Sequence, residues 1–195
     1  MERWSAVTLG TTGLRGLIYA RNARSKRESS WDRTGGNADA IAIPQGETAT
    51  LADIAGPGCI NHIWFTIWCP DKLYLRKLLL RISWDGEPEP SVECPVGDFF
   101  GVGHGVVSHY WSQPLNMVTG PRAERWNVGA MNCFFPMPFA AGARVQIVNQ
   151  CDAEVQAFYY YIDYEHYDAP RDDVLRFHAQ WRRENPTTGT VDLRA

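Results

Sequence analysis

The chain has 195 residues, a net charge of −3 and 45% hydrophobic residues. That length sets one domain with room for an appendage and a sizeable buried core. The acidic balance excludes a general nucleic-acid binder, and no run reaches the ~18 apolar residues of a membrane span.

Residues 1–28 read as a basic arm or short helix. Leu14, Leu17 and Ile18 can share one helical face, with arginine and lysine opposite. Met1-Glu2-Arg3-Trp4 opens onto no apolar run of the signal-peptide kind. The next stretch is Ser29-Ser30-Trp31-Asp32-Arg33-Thr34-Gly35-Gly36-Asn37-Ala38-Asp39. It has no hydrophobic period. One reading is a ring-binding loop, because a planar aromatic stands beside carboxylates, an arginine and an amide. The plainer reading is a polar loop whose Asp and Asn side chains close their own turns.

From here the period changes to two. Strands are expected near 38–43, 47–54, 58–68, 75–84, 90–96, 131–136, 142–149 and 155–164. Pro44-Gln45-Gly46, Gly56-Pro57-Gly58, Asp85-Gly86 and Ala141-Gly142 mark turns between them. Short strands at this spacing predict an all-β fold, a single jelly-roll β-sandwich of two antiparallel sheets over residues 29–168. A long excursion from about Gly97 to Ala130 interrupts it, and such loops are usually functional or interfacial. Residues 169–195 are expected to form a C-terminal helix and linker. Asp172 would cap a helix running to Trp181, with Val174, Phe177, His178 and Trp181 near one face.

Chemistry is harder to place. Val96-Gly97-Asp98-Phe99-Phe100-Gly101-Val102-Gly103-His104-Gly105 could expose amides to an anion, or pair Asp98 with His104 in proton transfer. The plainer reading is a glycine-rich loop that Asp98 closes. It lacks the dinucleotide pattern, so no cofactor is expected. His104 and His109 alone do not make a metal site, and none is expected. His62, inside an apolar strand, reads as a satisfied core residue. Trp64, Trp68, Trp84, Phe134, Phe135 and Phe139 also read as core. No Gly-x-Ser-x-Gly elbow and no cysteine signature offers a nucleophile. Carboxylate pairs for glycoside hydrolysis could come from Asp32 with Asp39, Asp85 with Glu87, or Glu93 with Asp98. The five scattered cysteines read as reduced, buried thiols in a cytoplasmic protein.

Several ordered blocks carry a family resemblance. They are Ser30-Trp31-Asp32-Arg33-Thr34-Gly35-Gly36-Asn37, Gly58-Cys59-Ile60-Asn61-His62-Ile63-Trp64 and Leu79-Leu80-Arg81-Ile82-Ser83-Trp84-Asp85-Gly86. Val96 to Gly101, Asn132 to Phe139 and Tyr159 to Tyr164 continue the match. Together the chain resembles domain of unknown function 2961, now glycoside hydrolase family 172, from about residue 20 to 189.

The resemblance implies two tandem jelly rolls, assembly as trimers or their multiples, and retaining action on furanosides. It also implies a glutamate pair in the second jelly roll, in blocks reading roughly Trp-Trp-x-Glu-Gly-Asp and Gly-Thr-Glu-Asp-Tyr. Neither block occurs here, so no catalytic residue is assigned. The expectation is an N-terminal jelly roll that is inactive alone. Its partners would be a second jelly roll, further copies of itself and a carbohydrate, with no nucleic acid or membrane. By resemblance, Trp31, Asp32, Arg33, Asn37, Asp98, Phe99 and His104 are candidates for sugar or subunit contacts. The alternatives are a self-assembling, capsid-like single jelly roll and a carbohydrate-binding module.

Overall fold

The computed structural model describes residues 20–186. In chain order its strands are β1 (Arg24–Ser29), β2 (Ile41–Ile43), β3 (Thr48–Ala55), β4 (Gly58–Trp68), β5 (Leu78–Trp84), β6 (Val92–Pro95) and β7 (Tyr110–Trp111). They continue as β8 (Leu115–Val118), β9 (Ala130–Cys133), β10 (Met137–Phe139), β11 (Gly142–Asn149), β12 (Val155–His166) and β13 (Ala179–Gln180). Three helical turns intervene: α1 (Tyr74–Lys77), α2 (Val96–Phe99) and α3 (Pro121–Arg125). Leu14, Leu17 and Ile18 lie outside the described residues.

Alternation builds the sandwich. β5 and β12 bury every second side chain along most of their length, as half-buried strands must. An eight-stranded sheet runs β1-β12-β4-β9-β8-β7, with β2 also on β12 and β10 also on β4. A five-stranded sheet runs β13-β6-β5-β11-β3. The eight strands expected from sequence are β2, β3, β4, β5, β6, β9, β11 and β12. They divide as β2-β12-β4-β9 and β3-β11-β5-β6, which is the two-sheet pairing of a jelly roll. The long excursion is packed against this frame. It adds β7 and β8 to one edge and buries Val107 and Met117.

Between the sheets, Phe65 meets Phe100 and Phe158 edge-on, at 5.4 and 5.0 Å between centroids. Burying each such ring is worth ~1.5–3 kcal/mol. Asn149 is fully buried and fully bonded. Its amide donates to the carbonyls of Ile43, Pro44 and Ala153, and its oxygen accepts from the Cys151 amide. Among the described residues, no buried side-chain nitrogen or oxygen lacks a partner.

The expected C-terminal helix does not form. Residues 174–178 have no regular secondary structure and lead into β13, which pairs in parallel with β6. Tertiary bonds claim the backbone that a helix would need. The Trp84 indole donates to the Phe177 carbonyl at 2.7 Å, and the Ala179 and Trp181 amides donate to the Ser91 and Glu93 carbonyls. Arg176 pairs with Asp85, and Phe177 packs on Phe99 and Phe135. A helix this short is marginal by itself, so an open sheet edge outcompetes it.

β1 also departs from the expected arm: Arg24–Ser29 pairs with the C-terminal half of β12.

Candidate functional site

The loop after β1 is anchored by Ser30. Its amide donates to the Tyr160 carbonyl, and its hydroxyl accepts from the Tyr160 amide. Asp32 then closes the loop on itself. Its Oδ1 accepts from the Thr34 amide at 2.9 Å and hydroxyl at 2.7 Å, and its Oδ2 from the Ala38 amide at 3.1 Å. The Thr34 hydroxyl, followed by the two amides, holds this carboxyl below its ordinary value. The Asp32 amide donates in turn to Asp39 Oδ1 at 2.9 Å. Gly36 is required here, because a Cβ would lie 2.6 Å from Asp32 Oδ2. Both carboxylates therefore serve the turn. Trp31 stays half-exposed with the Arg33 guanidinium 4.6 Å over its ring, and Asn37 is exposed.

The second stretch lies beyond β6 on the other sheet. Asp98 Oδ2 accepts from Arg76 Nη1 at 2.5 Å, and the same nitrogen donates to the Gly103 carbonyl at 2.6 Å. Gly101 takes φ +76°, and a Cβ there would sit 2.7 Å from the Tyr110 hydroxyl. Phe99 is a core residue, whereas His104 is exposed. Among the described residues, no hydrogen bond or ion pair joins Asp98 to His104. None links this group to the Trp31–Asn37 loop either. Trp181 is 40% exposed, with Arg76 stacked 5.3 Å over its ring.

The other proposed carboxylate pairs are also engaged. Glu93 pairs with Arg81 at 2.6 Å. Asp85 Oδ1 accepts from the amides of Ala140, Ala141 and Gly142, while its Oδ2 accepts from Arg176.

A more extensive constellation covers the outer face of the eight-stranded sheet. Arg27 on β1 donates to both Asp163 oxygens, at 2.5 and 3.0 Å. Asp163 on β12 meets His62 Nδ1 at 3.0 Å. On β4, His62 Nε2 lies 3.0 Å from Asn132 Oδ1 of β9, and the Asn132 amide donates to Asn116 of β8 at 2.9 Å. One polar row thus crosses five strands. Burial alone would raise the Asp163 carboxyl, but hydrogen bonds from Arg27 and His62 outweigh it and hold it low.

Aromatics flank the row. Trp64 stacks on Tyr161 at 4.8 Å, Arg27 lies 4.3 Å over Tyr161, and Phe134 stacks on the His62 ring at 4.6 Å. Tyr159, Tyr161, Trp68 and Phe134 are all more than a third exposed, and Trp111 reaches 75%. Beyond Trp64 on β4, Trp68 lines an open cavity of about 530 Å³ with Arg122, Trp126 and Val128.

His62, Trp64, Trp68 and Phe134 are therefore not core residues, whereas Trp84 and Phe139 are and Phe135 is partly buried against the core. A bulge explains His62. Asp163 pairs with His62 but Tyr164 pairs with Ile60, leaving Asn61 unpaired in the register. The extra residue turns Ile60 and Ile63 both inward and His62 outward. One signal for this face was present in sequence: strict alternation along β12 places Tyr159, Tyr161 and Asp163 on one side.

No helix among the described residues is long and apolar enough to cross a membrane. No curated protein matches the chain. Residues 21–185 match the family model described as the GH172 first beta-sandwich domain. The chain belongs to that glycoside hydrolase family, as its first β-sandwich domain.

Proposed function

We propose that this domain binds furanoside sugars for a retaining glycoside hydrolase and does not itself cleave them. The observation that carries this reading is a contrast in how side chains are employed. Of the six carboxylates paired in the sequence reading, Asp32, Asp39, Asp85, Glu93 and Asp98 are committed to turns or arginines and Glu87 is exposed with only the Ser91 hydroxyl near it, while exposed aromatics gather on one sheet face. Retaining hydrolysis needs two carboxyls about 5–5.5 Å apart, one free to attack and one to carry a proton. A carboxylate locked by several donors is a poor candidate for either task.

Sugar rings present C–H faces to aromatics and hydroxyls to polar groups. Tyr161 with Trp64 supplies the first kind of contact, and the edges of the Arg27–Asn132 part of the row supply the second, Asn116 being buried behind Asn132. Ser29 pairs with Tyr161, so the Trp31–Asn37 loop leaves β1 near this face. A second jelly roll would supply the catalytic glutamates.

The test is to incubate the chain with a nitrophenyl arabinofuranoside, with and without a GH172 second β-sandwich domain. The expected result is binding with no nitrophenol release by the chain alone, and release when both domains are present. Release by the chain alone above the buffer rate would refute the proposal.

A second reading has its own support: Trp111 is 75% exposed beside the sheet edge, which suits a subunit contact. Light scattering distinguishes it. A closed trimer that Trp111→Ala dissociates would favour assembly as the role of that edge.

A further inference from the structure

The cavity at Trp68 continues the sugar face along β4. From Ile63 to Trp68 burial alternates without a break, so Trp64, Thr66 and Trp68 all project from the outer side of the sheet. At ~3.3 Å per residue, Trp68 stands roughly 13 Å along the strand from Trp64. The facing residues of β12 are Tyr161 at Trp64, Tyr159 at Thr66 and Ala157 at Trp68. Tyr159 continues the aromatic surface, and Ala157 is too small to cover the exposed Trp68 indole. The opposite wall is Trp126, also exposed, and the backbone that carries it is pinned. Asn127 takes φ +53°, a left-handed conformation in which asparagine is enriched. Its carbonyl accepts from the Tyr74 hydroxyl at 2.7 Å, its Oδ1 accepts from the Val107 amide at 2.8 Å, and its side-chain amide donates to the Gly105 carbonyl at 3.3 Å. The Thr119 hydroxyl donates to the Val128 carbonyl at 3.2 Å. Arg122 completes the lining, and among the described residues it makes no ion pair.

We propose, resting on the furanoside-binding reading above, that this cavity is a second sugar subsite and that the face takes an oligosaccharide reaching from Trp64 to Trp126. Trp68, Trp126 and Val128 offer apolar surface to the C–H face of a ring, and Arg122 offers N–H donors to its hydroxyls. That mixture of apolar walls and one polar anchor is how ligand pockets are lined, and a volume of about 530 Å³ lies in their usual range. None of the four lining residues is a carboxylate, so the subsite holds a sugar without attacking it. Tyr159 bridges the two ends with a ring on which intermediate sugars can lie. A ligand that fills both ends binds more tightly than either end alone, because the second contact is made within an already bound chain. A single furanoside reaches one end only.

The test is calorimetric titration of the chain with arabinofuranose oligosaccharides of increasing length, from the monosaccharide to the pentasaccharide. The expected result is a rise in affinity of at least about tenfold once the sugar is long enough to touch both ends. Trp126→Ala, whose folding is checked by circular dichroism, should erase that rise, and Trp68→Ala should do the same. Affinity that stays flat with length while short sugars still bind would overturn the second subsite and leave the furanoside reading standing. Absence of binding at every length would overturn both. A rise that persists in Trp126→Ala would overturn the proposal as well. So would a dimer in light scattering that the same variant dissociates, because the cavity would then seat a second copy of the chain.

Discussion

The loop from Trp31 to Asp39 and the outer face of the eight-stranded sheet are both rich in polar and aromatic residues, yet they spend them differently. In the loop, donors and acceptors are sequence neighbours, and they satisfy one another: Asp32 binds Thr34 and Ala38, and Asp39 binds Asp32. On the sheet, Arg27, His62, Asn116, Asn132 and Asp163 come from five strands and meet only after folding. The loop uses its chemistry to hold its shape. The sheet row has its shape fixed by strand register, so the outward edges of all its members but the buried Asn116, with the flanking rings, are left to a ligand.

Substitutions at five positions sharpen this comparison. Asp163→Ala should have the largest effect, because it strands Arg27 and His62 together. A loss of about 2 kcal/mol is expected in urea titration. The sign of its pH dependence also follows. A carboxyl held below its ordinary value contributes stability above pH ~4 and loses it as pH falls through the folded value. Asp163→Asn should therefore flatten part of the acid limb of stability against pH, and an unchanged limb would count against the row.

Next is the aromatic pair. Trp64→Ala with Tyr161→Ala should weaken furanoside binding about tenfold, or ~1.4 kcal/mol, by calorimetry. Gly36→Ala pushes Asp32 off its Ala38 contact and should lower Tm slightly, less than Asp163→Ala does. Arg33→Ala removes one exposed stacking contact and should cost no more than ~0.5 kcal/mol. A larger effect from Arg33 than from Asp163 would invert the comparison.

The eight jelly-roll strands were legible because their period of two survives almost unbroken. The jelly-roll partition then follows from pairing, which sequence alone does not show. The short strands β7, β8 and β10 were not anticipated, being two to four residues long and set beside or within the long excursion and the strand that follows it. The C-terminal segment failed for a different reason. Val174, Phe177, His178 and Trp181 do have helical spacing, but Trp84, Ser91 and Glu93 offer the backbone better partners. His62 was misread because the bulge at Asn61 breaks the alternation at that point. The family was legible from its ordered blocks. The polar row was not, because no sequence window holds residues from five strands.

The most direct test of a binding but non-cleaving domain is an NMR titration of the chain with a furanoside oligosaccharide, following backbone amides and tryptophan indoles. The account predicts shifts clustered on His62, Trp64, Asn132, Tyr159 and Tyr161, with the sugar recovered intact. Shifts confined to the Asp98–His104 stretch, or an oligosaccharide hydrolysed during the titration, would contradict it.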